Sequence, residues 1–487
     1  MYIVILLIGN NKKLWNDCGI LHARDHVLDN KPIEHPCDPS RTLEIMPDSV
    51  HVFKSMIQGW IANGTIQIDQ HTMELNGLHT LIANICHLRE LVLYEKNCDL
   101  RMACGLKMED VDFSKTRSCF EKMKVINSTK YANHGVAAAL RIFEAETGRK
   151  DVLTTAFLID QMAKWFTYMT SRSIQLAFSH KNEQAYQKAI SSLISFRSMI
   201  FNCKVGSKNW HKPWQSAVVM TTDSMIRMQE FLLSHDGFDF FLGGRLTQDS
   251  VENVFSQLRS RQIRPNALQV KDNLKLLAVS QYLDVIRNTS YIWDESGWLL
   301  DFNEVADSST DVKEEHEDGL VNFDEHYVID EDEIIEECNT LCNLPSEQNV
   351  MYYLSGMIMK NITQRSHVCA RCVKSCIACK IPSDEVTFFT KLRDYTDDSL
   401  TYVNMDTYNF ITELEEIFKR NIEQLKISNL NLDKKLFDLM EFVPATHMRK
   451  CHAIREKIIK KYILFRLRIS RVNIPRVQRH DSKSMAV

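Results

Sequence analysis

Asp249 and Glu252 are two acids three positions apart, and they follow a Gly-Gly-Arg turn at residues 243–245. The surrounding residues predict a helix that Thr247 caps. One face of that helix should be buried, because apolar residues recur at spacings of three and four: Val251, Val254, Phe255 and Leu258. The helix dipole stabilises acids in a first turn, so helix capping is one interpretation of the pair. A role in metal binding would need further oxygen ligands elsewhere in the chain.

A second candidate for chemistry is the stretch CARCVKSCIAC, which forms two CxxC pairs from Cys369, Cys372, Cys376 and Cys379. A CxxC pair suits one half of a tetrahedral Zn²⁺ site. The chain has 14 cysteines, and its N-terminal apolar run lacks the basic start and the length of a secretory signal. We therefore expect a reducing compartment, in which these cysteines are metal ligands or free thiols near a turn.

The composition is that of a globular protein, with 44% hydrophobic and 25% charged residues over 487 positions, and this length predicts two to four domains. The charge is unevenly placed. Residues 301–337 hold 16 acids against one lysine, whereas residues 449–479 hold 11 basic residues against one acid. This asymmetry predicts an acidic disordered linker and a basic tail that could meet nucleic acid or an acidic partner. No apolar run approaches the roughly 18 residues of a membrane span.

Apolar patterning predicts the elements that position these residues. Strands are expected at 2–8 and 43–46, the first in a mixed or parallel sheet, and a helix is expected from Asp48 onward. Residues 75–260 have mostly helical periodicity, with short strands expected near 217–222. Amphipathic helices are predicted at 410–421 and 453–469. Asp48, His51 and Lys54 are spaced to share one side of their helix, where we interpret Asp48 as a cap.

Several of these stretches together resemble the P-element type of DNA transposase, a family of THAP-containing transposases. The resemblance rests on GNNKKLWNDCGI after a strand, PDSVHVFKSM, FEKMKV with VAAALR, and KPWQSAVVMTT leading into LTQDSVENVFSQLRSR. The C-terminal YYLSGMIMK, CARC and CHAIREKIIKKYILFRLRI fit the tail of the same family. The order and spacing of these motifs cover nearly the whole chain. The expected first strand of the family is missing, so we expect an N-terminally truncated member.

The resemblance implies an α/β + α fold, in which a partial ribonuclease-H-like catalytic core is interrupted by a helical insertion of the GTP-binding type. A mainly helical C-terminal domain follows. The implied domains are a partial core at 1–60, the insertion at 61–240, the return segment of the core at 241–295, an acidic linker at 296–343 and the C-terminal domain at 344–487. Glu252 corresponds to the catalytic glutamate of the family. Asp249 corresponds to a position that helps to bind the nucleotide and its metal.

The catalytic pattern of the family is incomplete in this chain. Two aspartates and one glutamate hold two Mg²⁺ ions in such enzymes, where the ions activate the attacking oxygen and stabilise the leaving one. The first aspartate would precede this chain, and Leu6 stands at the position of the second. Leucine cannot ligate Mg²⁺, and no acid occurs between residues 1 and 16. No metal-binding role is carried over to Asp48.

The nucleotide site implied by the resemblance is also altered. Phe166 keeps an aromatic position that reads guanine, but Thr167 and Thr170 replace an acid and an asparagine. A threonine cannot offer guanine the pair of acceptors that a carboxylate does. Lys107 could match a phosphate-binding lysine, whereas core packing is the other interpretation of Phe166. Both Mg²⁺ and GTP are therefore implied by the family but in doubt for this chain.

The resemblance also pairs the first CxxC with a downstream Cys/His couple. HMRKCH supplies His447, Cys451 and His452, and we predict one structural Zn²⁺ site from Cys369, Cys372, Cys451 and His452. Cys376 and Cys379 are the substitutes if that pairing is wrong. The basic tail helix could contact DNA, serve in nuclear import or present a solvated charged face.

Three functions follow in order of preference. The first is a nuclear, P-element-like transposase remnant that faces DNA but is catalytically inactive. The second is a host-adopted protein that binds DNA, or inhibits a related full-length transposase by pairing with it. The third, an active nuclease, needs two carboxylates that the sequence does not supply.

Overall fold

The computed structural model describes most of the chain in two compact units. The described residues are 2–6, 19, 23–35, 37–98, 100–113, 125–234, 238–249, 253–255, 257–258, 265–280, 345–365, 368–394, 400–428, 432–448 and 452–472. The first unit comprises Met1–Leu88, Asp112–Leu140 and Thr147–Val328. The second comprises Arg89–Val111, Arg141–Glu146 and Ile329–Val487. The predicted linker at 296–343 lies outside the described residues.

The chain is mostly helical and has two small sheets among its described residues. Up to residue 280 the elements are β1 (Tyr2–Leu6), β2 (Ile33–His35), β3 (Asp38–Pro47), α1 (Ser49–Asn63), β4 (Thr65–Gln67), α2 (Gln70–Leu75), β5 (Ile82–Asn84), α3 (Cys86–Tyr94), α4 (Val125–Thr129), α5 (His134–Thr147), α6 (Val152–Thr170), α7 (Glu183–Asn202), β6 (Lys204–Val205), α8 (Pro213–Leu233) and α9 (Ala267–Ser280). From residue 345 they are α10 (Pro345–Arg365), α11 (Ala370–Lys374), α12 (Phe388–Arg393), α13 (Met405–Ser428), α14 (Leu432–Met440) and α15 (Ile454–Val472).

The first sheet has the order β1-β3-β2. β1 runs parallel to β3, with Tyr2 opposite Leu43 and Leu6 opposite Pro47. β2 runs antiparallel to β3. The predicted first strand and its mixed sheet are therefore confirmed over residues 2–6, and the strand predicted at 43–46 lies within β3.

A second, antiparallel sheet has the order β5-β4-β6. Two of its strands, β5 and β6, lie within residues 75–260, which periodicity predicts as mostly helical. Its strands are two or three residues long, too short for a period of two to be detected in the sequence.

The short strand expected near residues 217–222 is wrong, because this stretch lies inside α8. Pro213 occupies the first turn of α8, and Gln215 accepts a hydrogen bond from the backbone of Lys212. The β-branched residues that favour a strand are accommodated here, since Thr222 donates its hydroxyl to the Val218 carbonyl at 2.7 Å. Burial of all six residues at 217–222 outweighs their weak local preference for a strand.

Helix α8 is attached to β3 by polar side chains in the core of the first unit. Thr221 donates to the Pro47 carbonyl at 2.8 Å, and Ser224 donates to the Ile45 carbonyl at 2.9 Å. Arg227 makes a bidentate pair with Glu44, a carboxylate that is 1% exposed. These contacts place α8 against the end of β3, where α1 begins.

The second unit is helical, and its core lies between α10, α13 and α15. The amphipathic helices predicted at 410–421 and 453–469 are confirmed as parts of α13 and α15. α15 buries one face through Ile454, Ile458, Ile459, Tyr462, Ile463 and Leu467. Arg466 is buried as well, paired with Glu415 at 2.8 Å. The basic face predicted to lie in solvent therefore does not include Arg466.

No helix among the described residues is long and apolar enough to cross a bilayer. The ribonuclease-H-like topology and the bounds of the five domains stay predictions.

Candidate functional site

Asp48 is the first of two buried carboxylates that meet in the first unit. It follows β3 and caps α1, where its side chain accepts a hydrogen bond from the backbone N–H of His51 at 3.1 Å. The imidazole of His51 binds the same carboxylate oxygen. The other oxygen accepts from the backbone N–H of Gln248 at 3.3 Å. The predicted cap is confirmed, and the carboxylate also reaches the segment that carries Asp249.

Asp249 is the second of these carboxylates and is 6% exposed. Arg172 donates to it at 2.8 Å, and Thr247 donates to the same oxygen at 3.2 Å. Burial raises the pKa of Asp249, as does the nearby charge of Asp48, whereas the cations Arg172 and Lys54 lower it. We call Asp48, His51, Lys54, Arg172 and Asp249 the charge cluster. It contains two acids and two cations beside the imidazole.

The two glycines before Asp249 are explained by close backbone packing. A Cβ on Gly243 would lie 2.4 Å from the carbonyl oxygen of Tyr168, and one on Gly244 would lie 2.6 Å from that of Thr170. Residues 243–246 form a 3-10 helix against the end of α6. This contact brings Asp249 to Arg172, which follows α6.

Glu252 lies outside the described residues, so its role as the catalytic-position glutamate stays a prediction. Of the apolar face predicted around it, Leu258 is buried, as expected. Phe255 is 45% exposed, and its predicted burial is wrong. The side chain of Leu6 also lies outside the described residues.

Phe166 lies in the core of the first unit. It is 1% exposed and stacks on Phe53, with 4.1 Å between ring centroids. Thr170 donates its hydroxyl to the Phe166 carbonyl at 2.7 Å, and Thr167 is buried on the same helix. These contacts agree with core packing, the other interpretation of Phe166. A contact with guanine would require the ring to leave that stack.

Lys107 belongs to the second unit, whereas Phe166 and Asp249 belong to the first. It is half-buried in a turn, and its backbone N–H donates to the carboxylate of Asp110 at 3.0 Å. Its phosphate-binding role stays a prediction.

Cys369, Cys372 and His452 come together in the second unit. Their ligand atoms all lie within 4.8 Å of one another, and Cys372 Sγ is 3.6 Å from His452 Nδ1. Cys369 is the N-cap residue of α11, and its carbonyl accepts a hydrogen bond from the backbone N–H of Cys372 at 2.9 Å. Two thiols and an imidazole are donors that Zn²⁺ prefers. Cys451, the predicted fourth ligand, lies outside the described residues.

The substitute ligands occupy other positions. Cys376 is fully buried, and burial raises its pKa. Cys379 is exposed. His447 exchanges a hydrogen bond with the Thr407 hydroxyl at 3.2 Å. The described metal-ligating group therefore contains none of these three side chains.

Sequence reasoning missed Arg172 and assigned no site to Lys54. Arg172 lies 77 positions before Asp249, and nothing in its neighbourhood marks it as a partner. Lys54 shares a helix face with Asp48, which was the available signal.

No model of a known protein family matches the sequence. The chain is similar to the transposable element P transposase of Drosophila melanogaster, with 21% identity over 316 residues, and it spans only 39% of the length of that relative. The similarity covers 62% of this chain. A solved structure, the Drosophila P element transposase strand transfer complex, has a TM-score of 0.48 and 18% identity over 58% of this chain and 61% of that one. The resemblance to P-element-type transposases predicted from the motifs is confirmed.

Proposed function

We propose that this chain is a P-element-like transposase remnant that binds DNA in the nucleus but does not cleave it. Similarity to the P transposase supports the transposase origin. The same origin supports DNA as the partner, because transposases act on DNA. Leucine at the position of the second catalytic aspartate supports the loss of cleavage.

The observation that carries this proposal is that Leu6 stands at the position of the second catalytic aspartate, while both described carboxylates of the charge cluster are already engaged and cannot replace it. Asp249 is paired with Arg172, and Asp48 binds His51 and two backbone N–H groups. A two-metal site needs carboxylate oxygens that face the ions and little positive charge beside them. Mg²⁺ would have to displace Arg172 from Asp249 in a buried setting, which is costly because the cation would lose its partner.

The nucleotide-binding positions of the family are proposed to be inactive as well. Phe166 is stacked on Phe53, and Asp249 is paired with Arg172. Neither side chain offers guanine or a nucleotide-bound metal an open face. GTP would therefore leave the stability of the purified chain unchanged.

The Cys/His group is proposed to hold a structural Zn²⁺, with Cys369, Cys372 and His452 as ligands and Cys451 as the fourth. The ion would supply rigidity, since a structural site contributes directly to folding.

The DNA-binding part of the proposal is tested by fluorescence anisotropy with labelled duplex and single-stranded DNA over a range of salt concentrations. We expect binding whose affinity falls steeply with salt, as phosphate neutralisation requires. Cleavage of the same DNA is followed in parallel with added Mg²⁺. Absence of any DNA binding at low salt would overturn the proposal, as would Mg²⁺-dependent cleavage that Glu252→Ala abolishes.

A host-adopted protein that inhibits a related transposase is the second candidate, and the buried ion pairs favour it. Glu44 is paired with the half-buried Arg227, and Glu415 with the buried Arg466, each at 2.8 Å. Loss of either partner would leave a buried charge unpaired, so intact pairs favour a chain that keeps its fold. We expect soluble protein to accumulate in cells and to reduce excision by a full-length P transposase. A chain that is degraded as it is made would contradict this candidate.

A further inference from the structure

The loop at residues 206–212 joins β6 to α8 and is fixed at both ends. β6 pairs with β4, and the backbone N–H of Gly206 donates to the Thr65 carbonyl at 2.9 Å. At the other end the imidazole of His211 bonds the hydroxyl of Ser216 at 2.9 Å. Gly206 has a φ of 65° and Asn209 a φ of 50°. The loop is therefore a defined turn whose tip is held in position.

The tip presents a tryptophan to solvent. Trp210 is 66% exposed, whereas the other three tryptophans that the structure describes, Trp60, Trp165 and Trp214, are at most 5% exposed. The ammonium of Lys208 lies 5.2 Å from the centroid of the Trp210 ring. A partner that covers this exposed indole would remove apolar surface from water, which is favourable.

The surroundings of the tip are positively charged. Residues 204–212 contain three lysines, Lys204, Lys208 and Lys212, and no acid. Lys204 and Lys208 are exposed. Arg24 lies 5.9 Å from the Phe201 ring centroid at the base of the loop. Burial lowers the pKa of His211 and the charge of Arg24 lowers it further, while Asp25 raises it.

We propose that this loop is a contact for single-stranded DNA, in which the Trp210 indole stacks on an unpaired base while Lys204 and Lys208 bind the flanking phosphates. The inference rests on the proposed DNA-binding function and names a place where the strand is held. Aromatic stacking beside a basic groove is how proteins bind single strands without reading sequence. Lysines are depleted in protein interfaces, so the charge favours a nucleic acid over a protein partner.

The test is anisotropy with a labelled oligonucleotide of about 16 nucleotides, using the full chain. We expect Trp210→Ala to weaken single-strand binding by about 5- to 150-fold, because stacking on an aromatic side chain contributes that much. Trp210→Phe should retain most of the affinity. Lys208→Ala should reduce the salt slope by about 0.7 for the phosphate contact that it loses.

The chain offers a matched control in its second unit. Phe442 is 86% exposed, and Lys434 is exposed on the same segment, but acids flank both residues: Asp433, Asp438 and Glu441. Phe442→Ala and Lys434→Ala should leave single-strand affinity unchanged.

The outcomes separate the two proposals. If the wild-type chain binds no DNA, both fail. If it binds DNA and Trp210→Ala has the affinity of the wild type, the loop inference is overturned while the proposed function stands. If Trp210→Ala changes only the oligomeric state, measured by light scattering, the loop binds protein and the inference is also overturned.

Discussion

Asp249 illustrates how one side chain can serve structure at a position that resembles a functional one. Its burial makes an uncompensated charge costly, and Arg172 supplies the compensation at 2.8 Å. Neither capping nor metal binding, the two interpretations available from sequence, includes this partner. The spacing of acids along a helix predicts which residues share a face. It does not predict which distant cation meets them, because that depends on the packing of α6 against residues 243–246.

Arg172→Met should destabilise the first unit by about 3 kcal/mol at neutral pH, since it leaves Asp249 buried without its cation. The loss should shrink in acid, because a protonated Asp249 no longer needs a positive partner. The four tryptophans that the structure describes, Trp60, Trp165, Trp210 and Trp214, lie in the first unit. Urea unfolding followed by tryptophan fluorescence therefore reports that unit.

The matched control is Lys181→Met, which removes a pair with Asp239 in which both side chains are more than 60% exposed. We expect a change within about 1 kcal/mol. Equal effects of the two substitutions would show that the cluster contributes no more than a surface pair.

Glu95 is a buried carboxylate of the second unit. Burial raises its pKa to about 7, against the lowering effects of the Met102 and Ala103 backbone N–H groups and of Arg101. Because the folded state favours the protonated acid, the stabilisation is fully present below the unfolded pKa of 4.5 and is lost as pH rises through 7. We expect the free energy of local opening to fall by about 3 kcal/mol between pH 4.5 and 7.5.

Hydrogen exchange at residues 95–106, corrected for the intrinsic pH dependence of exchange, measures this change. Glu95→Gln should flatten the profile because it removes the titrating group. A wild-type profile as flat as that of Glu95→Gln would contradict the prediction.

At the scale of elements, the Cys/His group connects α11 to the start of α15. His452 precedes α15 by two residues. Cys369 is the N-cap residue of α11, and Cys372 lies in the first turn of that helix. The three ligand atoms converge although about 80 residues separate them, as the Cys372–His452 contact records. Binding one ion would fix the entry angle of a helix that crosses the core of the second unit.

Cys372→Ser and His452→Ala should each lose stoichiometric Zn²⁺, measured by mass spectrometry of the purified chain, and should reduce amide protection in α15. Cys376→Ser is the control, because Cys376 is buried on the same turn but lies outside the group. Equal zinc content in all three variants would rule out the predicted ligands.

Sequence patterns predict some elements well and others poorly, for physical reasons. α13 and α15 are long and strongly periodic, and both are found where expected. The strand predicted at 217–222 is wrong because β-branched residues also fit a helical segment in which every residue is buried. The CxxC spacing indicates metal ligands locally, whereas the downstream partner His452 is predicted from the family resemblance, because HMRKCH offers two histidines. Arg172 and Trp210 have no such pattern, since a single distant cation or an exposed ring leaves no periodic signal.

At the scale of the molecule, the two units contain different chemistry. The first holds the charge cluster and the Trp210 loop, and the second holds the Cys/His group and the basic helix α15. This division means that removal of Zn²⁺ and substitution in the charge cluster should act on separate unfolding transitions. The proposed function requires both units to fold while the metal chemistry of the first is absent.

The proposed absence of a catalytic metal site in the first unit is tested most directly by titrating the zinc-loaded chain with Mn²⁺. The electron paramagnetic resonance signal of the free ion follows the titration. We predict no stoichiometric Mn²⁺ site, and identical titrations for the wild type, Asp249→Asn and Glu252→Ala. A tight site holding one or two Mn²⁺ ions in the wild type, lost in Glu252→Ala, would show that the carboxylates assemble a metal centre and would contradict the proposed function.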